Sequence, residues 1–172
     1  MKLLGSFFWV YLLPRSLVKN LATLGGLGYK SKMPGTLGSI IGFIFYVIFF
    51  HNTNGIYYFL LLFIFSYISF GICQGAEKHF MEKDPSFIIL DEFVAIPFIY
   101  IGLNVQNTQV LEIGSWPVYL GGILIFRFFD IFKPFGIKRL EKINGGLGCV
   151  LDDIAAGLLS CLCLHILIWK FI

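Results

Sequence analysis

The stretch CVLDDIAAGLLSCLCLHILIW occupies residues 149–169 and decides how the rest of the chain is read. As a helix rising ~1.5 Å per residue it is about 31 Å long, the thickness of a bilayer's hydrocarbon core. Its only charged residues, Asp152 and Asp153, lie near its start. Working outward, four more apolar runs appear at 37–50, 56–73, 88–103 and 117–132. Polar breaks separate them at His51 to Gly55, Gly75 to Ser86, Asn104 to Trp116 and Lys133 to Gly148. The first run is short for a bilayer unless it begins at Pro34. A buried helix of a soluble bundle explains any one run, but five in 172 residues favour the membrane.

Composition agrees. Apolar residues make up 58% of the chain and charged residues 13%, about half the ~25% of a soluble domain. A domain this small keeps too much surface in water to hide that content. Disorder, collagen and a disulfide-stapled secreted scaffold are excluded. The net charge of +3 is too modest to suggest a nucleic-acid partner. The expectation is an all-α polytopic membrane bundle, one domain over 1–172, with about five transmembrane helices. The first 13 residues lack a small-x-small cleavage site and run into Pro14-Arg15. With Trp9 and Tyr11 they suit an interfacial helix, so 1–20 reads as an interfacial N-terminal segment.

Lys and Arg set orientation. Loop 14–36 has Arg15, Lys19, Lys30 and Lys32; loop 74–87 has Lys78 and Lys83; loop 133–148 has Lys133, Lys138, Arg139 and Lys142. Loops 51–55 and 104–116 have none. Ten of the thirteen basic residues thus share one side, which reads as the cytoplasm.

Carboxylates inside apolar runs are costly in lipid and are functional candidates. Asp91 and Glu92 come early in the third run, Asp130 late in the fourth, Asp152 and Asp153 early in the fifth. Because the runs alternate in direction, all five fall in one layer, roughly 3–8 Å inside the basic surface. Like charges so close repel, and a cation relieves them; oxygen ligands without His or Cys suit Mg²⁺. Structural readings stand beside this one. Asp152 and Asp153 could cap the fifth helix, and Asp130 could pair with Arg127 or Lys133 at i, i+3.

Lys32-Met33-Pro34-Gly35-Thr36-Leu37-Gly38-Ser39 opens the first run in the same layer. Pro34 suits a first-turn position, and the free N–H groups there, with Thr36, Ser39 and Lys32, make an anion site. An ordinary turn is the alternative, and P-loop spacing is missing. The four cysteines form no Cys-x2-Cys pair, and the three histidines lie on separate segments. There is no Gly-x-Ser-x-Gly elbow and no Asp-x-Asp pair.

Leu24-Gly25-Gly26-Leu27-Gly28 through Pro34-Gly35-Thr36-Leu37-Gly38-Ser39, then Leu90-Asp91-Glu92-Phe93, resemble bacterial phosphatidylglycerophosphatase A. So do Phe126-Arg127-Phe128-Phe129-Asp130-Ile131-Phe132-Lys133-Pro134 and Asn144-Gly145-Gly146-Leu147-Gly148 followed by Asp152-Asp153-Ile154-Ala155-Ala156-Gly157. The blocks keep their order from about residue 20 to 160. The resemblance implies a multi-pass, Mg²⁺-dependent inner-membrane enzyme that hydrolyses phosphatidylglycerophosphate to phosphatidylglycerol. Its site would lie at the cytoplasmic face, where a phosphate monoester is reached without extracting the lipid. On this reading Asp91, Glu92, Asp130, Asp152 and Asp153 hold one or two Mg²⁺ ions, and Lys32, Thr36, Arg127 and Lys133 hold the phosphate. Water activated by the metal is the expected nucleophile, with Asp91 or Asp152 as direct nucleophile the variant. A cation transporter should carry its carboxylates near the midplane instead. A phospholipid-synthesising phosphotransferase should show an Asp-Gly-x2-Ala-Arg pattern, which this chain lacks.

Overall fold

A computed structural model describes residues 7–53, 55–103 and 116–171. Among them every regular element is helical. A 3-10 turn at Phe8–Leu12 leads into α1 (Arg15–Ala22), α2 (Leu27–Lys30), α3 (Pro34–Phe49), α4 (Gly55–Phe80) and α5 (Leu90–Ile99). Then come α6 (Trp116–Phe132), a 3-10 turn at Ile137–Lys142 and α7 (Gly146–Phe171). Two of these, α4 and α7, are long and apolar enough to cross a membrane by length and composition.

The third apolar run folds differently from its expectation. Of 88–103 only the ten residues of α5 are helical, about 15 Å of rise and too little to cross a bilayer. Both ends are trimmed by local contacts. The Ile89 amide donates to the Ala22 carbonyl at 3.0 Å, which draws the start into the N-terminal segment. After Ile99 the chain turns through Gly102, at φ +74°. Because α5 is short it sits inside the bundle, with Asp91, Val94, Ala95, Ile96, Pro97 and Ile99 buried.

Small residues bring its neighbours close. A Cβ on Gly42 of α3 would sit 2.6 Å from the Phe93 carbonyl oxygen, and one on Gly157 of α7 2.9 Å from that of Ala95. Such backbone approach gives these helices close dispersion contacts along their length.

Residues 1–6 of the expected interfacial segment lie outside the described residues; from residue 7 on it holds the short 3-10 turn and then α1. Val10 is fully buried against α4, and the Trp9 indole fills the space over Gly71 that a side chain there would occupy. Tyr11 and Leu12 remain exposed.

The ends of the helices sort into two chemistries. At one end, Tyr46, Phe50, Tyr58, Tyr100 and Tyr119 form an aromatic cluster. There the Tyr100 hydroxyl donates to the Tyr119 carbonyl at 2.8 Å and the Tyr58 hydroxyl to that of Pro97 at 2.5 Å. The starts of α3, α5 and α7 and the end of α6 meet at the other end.

Candidate active site

Those four helix ends enclose a cavity of about 430 Å³. Asp91 and Glu92 enter it from the first turn of α5, Asp152 and Asp153 from the early turns of α7, and Arg127 and Asp130 from the last turns of α6. Pro34, Gly35 and Thr36 bring the N-terminus of α3 to its wall. Helix starts favour carboxylates because their first N–H groups lack helical partners and carry partial positive charge. The Glu92 amide accordingly donates to Asp91 Oδ1 at 3.0 Å.

Lys133 reaches the cavity through its backbone. Its φ of +44° lies in the left-handed region, and its amide closes on the Phe129 carbonyl at 2.8 Å, so it ends α6 as a left-handed cap ahead of Pro134. Its ammonium donates to Asp152 at 2.5 Å and to Glu141 at 3.1 Å. Burial works against its charge, but the hydrogen bond and charge of Asp152, helped by Glu141 and Asp153, outweigh it and hold the ammonium above its usual range. On α6, Arg127 donates to Asp130 at 2.6 Å and lies 3.8 Å from Glu92. A Cβ on Gly35 would come within 2.9 Å of both terminal guanidinium nitrogens and 2.3 Å of Glu92 Oε1, so a larger residue would displace these two side chains.

Six carboxylates therefore face two cations across the cavity. Asp91, Asp152 and Asp153 are each at most 4% exposed. Asp152 Oδ1 and Glu92 Oε2 are buried without a hydrogen-bond partner. Ionised carboxylates cannot be buried unpaired without a large cost. Oxygen atoms of Asp91, Glu92 and Asp153 lie within 4.8 Å of one another. An all-carboxylate donor set with orphaned oxygens fits a hard divalent cation.

Of the nine residues expected from sequence to form the site, eight line this cavity: Thr36, Asp91, Glu92, Arg127, Asp130, Lys133, Asp152 and Asp153. Lys32 does not; it is exposed just ahead of α3. The helical ion pair held open as an alternative for Asp130 is present, with Arg127 as partner. Three participants carried no sequence signal. Asp84 sits in a polar loop that drew notice only for its basic residues, yet it joins the wall. Cys149, set aside for want of a motif, donates to Asp91 Oδ2 at 2.9 Å. Glu141 meets Lys133 from the second 3-10 turn.

Fold and cavity together define a helical protein with two helices long and apolar enough to cross a membrane and an acid-rich site at one end of its bundle. Residues 20–168 match the family model described as phosphatidylglycerophosphatase A. A phosphatidylglycerophosphatase A of Haemophilus influenzae is 34% identical over 138 residues, 77% of each chain. That of Escherichia coli is 29% identical over 136 residues, 78% of this chain and 74% of its own. A Bacteroides thetaiotaomicron protein provisionally named phosphatidylinositol-3-phosphatase is 27% identical over 157 residues, 84% of this chain and 89% of its own. No solved structure gives a significant match. The chain belongs to the phosphatidylglycerophosphatase A family and is a lipid phosphatase.

Proposed function

We propose that this enzyme hydrolyses the terminal phosphate monoester of phosphatidylglycerophosphate to phosphatidylglycerol and phosphate. The observation that carries the reading is the meeting of buried, partly unpartnered carboxylates with Arg127, Lys133 and the α3 N-terminus around one cavity. In this proposal Asp91, Glu92, Asp130, Asp152 and Asp153 hold Mg²⁺, which when bound neutralises phosphoryl charge and makes water a better nucleophile. The chain's own groups do the rest. Thr36, the free amides of α3, Arg127 and Lys133 grip the phosphate oxygens; Lys32, outside the cavity wall, falls from that set. Fixed donors aimed at developing charge are worth more in a dry site than in water. Hydrolysis breaks the bond between phosphorus and the glycerol oxygen; water supplies the new oxygen, and a proton passes to the departing alcohol.

The membrane setting belongs to the same proposal. The chain is one multi-pass domain of five helical segments in the inner membrane, α5 buried among the others, with the cavity at the cytoplasmic face. The alternation of basic loops supports that orientation.

The test is phosphate release by purified protein in detergent, with and without Mg²⁺. The substrates are phosphatidylglycerophosphate, phosphatidylinositol 3-phosphate and phosphatidic acid. Mg²⁺-dependent release, fastest from the first, is expected. Equal rates on all three would overturn the substrate assignment, and undiminished release in chelator the metal.

A further inference from the structure

Cys149 is buried, and its thiol touches two carboxylates. Sγ lies 2.9 Å from Asp91 Oδ2 and 3.4 Å from Asp84 Oδ1, and all three ligand atoms fall within 4.8 Å of one another. An ion bound tetrahedrally at ~2.3 Å to sulfur and ~2.0–2.2 Å to oxygen sets those ligands about 3.5 Å apart. The Cys149–Asp84 distance already matches that spacing, and the Cys149–Asp91 distance would open by about half an ångström. A second feature of the same cavity points to a cation: Asp152, its side chain 2% exposed, leaves Oδ1 without a partner. Asp84 is exposed, which opens a path from solvent to the buried thiol.

We infer that Asp84, Asp91 and Cys149 form a binding site for a thiophilic divalent cation such as Zn²⁺ or Cd²⁺, distinct from the carboxylate cluster but sharing Asp91 with it. Thiolate sulfur selects soft or borderline ions and is a poor ligand for Mg²⁺. Binding replaces the thiol proton, which passes to water. Resting on the Mg²⁺ reading above, the consequence is inhibition, because an ion held by Cys149 takes Asp91 away from the site shared with Glu92 and Asp153. The Cys73 thiol neighbours Cys149 from α4 but does not line the cavity, and the proposed ligand set leaves it out.

The experiment titrates Cd²⁺ into purified wild-type protein and into Cys149→Ser, Cys73→Ser, Cys161→Ser and Asp84→Asn, with excess Mg²⁺. The thiolate-to-cadmium charge-transfer absorbance and phosphate release are both followed. The wild type, Cys73→Ser and Cys161→Ser should show the band. Cys149→Ser should lose it, and Asp84→Asn should need at least about tenfold more Cd²⁺ to develop it. Half-inhibition of Cys149→Ser should likewise require at least about tenfold more Cd²⁺ than the wild type. A band that survives Cys149→Ser, or that Cys73→Ser removes, overturns the assignment, as does a wild type without one. Unchanged inhibition of Cys149→Ser despite a lost band overturns the inhibitory link. A band without Mg²⁺-dependent phosphate release removes the phosphatase reading and leaves the cation site standing.

Discussion

The two ends of α5 bury polar groups of different kinds, neutral hydroxyls at one and carboxylates at the other. At its C-terminal end the bundle buries neutral hydroxyls: Tyr100 donates to the Tyr119 carbonyl and Tyr58 to that of Pro97, while the Tyr46 hydroxyl is buried without a partner. At its N-terminal end, buried carboxylates outnumber their cations, and oxygens of Asp152 and Glu92 remain unpartnered. A satisfied buried polar group stabilises modestly, whereas an unsatisfied one destabilises at full desolvation cost. An ionised carboxylate costs far more to bury unpaired than a neutral hydroxyl does, so it is the acidic end that calls for something the fold does not itself supply.

The sharpest test of that contrast is Asp91→Asn. Phosphate release should fall at least ~10³-fold, a loss of about 4 kcal/mol of transition-state stabilisation. Thermal unfolding in detergent without divalent cation should occur at the same or a higher temperature, because relief of like-charge repulsion offsets the lost carboxylate. Retention of more than about a tenth of wild-type turnover, ~1.4 kcal/mol, would show that Asp91 is no essential ligand.

Lys133→Ala comes next, because the proposed function adds a phosphate to the ion pair this residue makes with Asp152. Removing a donor to the phosphate should lower the rate ~10²-fold. Stranding Asp152 should also destabilise the metal-free protein by roughly 3 kcal/mol. Adding Asp152→Asn should recover the stability but not the rate, measured by thermal unfolding beside phosphate release. Near-normal turnover for Lys133→Ala would reduce the residue to a structural partner of Asp152.

On α3, where Gly42 faces Phe93 and Ile96 of α5, Gly42→Val sharpens the comparison by loosening both ends together. Its side chain meets the Phe93 carbonyl, and overpacking of this kind costs about 1–3 kcal/mol. Denaturation in detergent should reveal the loss; unchanged stability would mean that α3 and α5 are not held by backbone approach.

The smallest effect belongs to the aromatic end. Tyr100→Phe removes one interhelical hydrogen bond, worth ~0.6 kcal/mol in a bilayer protein, and should leave phosphate release unchanged. A large rate loss there would break the division between the two ends.

Much of this was legible in particular residues. The apolar runs foretold α3, α4, α6 and α7, and the polar break beginning at Lys133 foretold where α6 stops. Alternating direction was enough to place Asp91, Asp130 and Asp152 at one depth, because helical rise converts position along a run directly into depth. The length of α5 was not legible. Residues 88–103 are as apolar as a crossing helix, and only the Ile89 bond to Ala22 and the turn at Gly102 shorten it.

Read alone, the chain determines the family, the helical class and the layer in which its carboxylates fall, since all three follow from residue types and spacing along one segment at a time. Tertiary structure decides who meets whom within that layer. It takes Lys133 to Asp152 instead of Asp130, takes Asp130 to Arg127, brings Asp84 in from a loop, sets Cys149 against Asp91 and leaves Lys32 outside. Depth is a property of one helix, but contact depends on the rotation of each helix about its axis and on its neighbours, and small residues such as Gly35 and Gly42 set these across segments far apart in sequence.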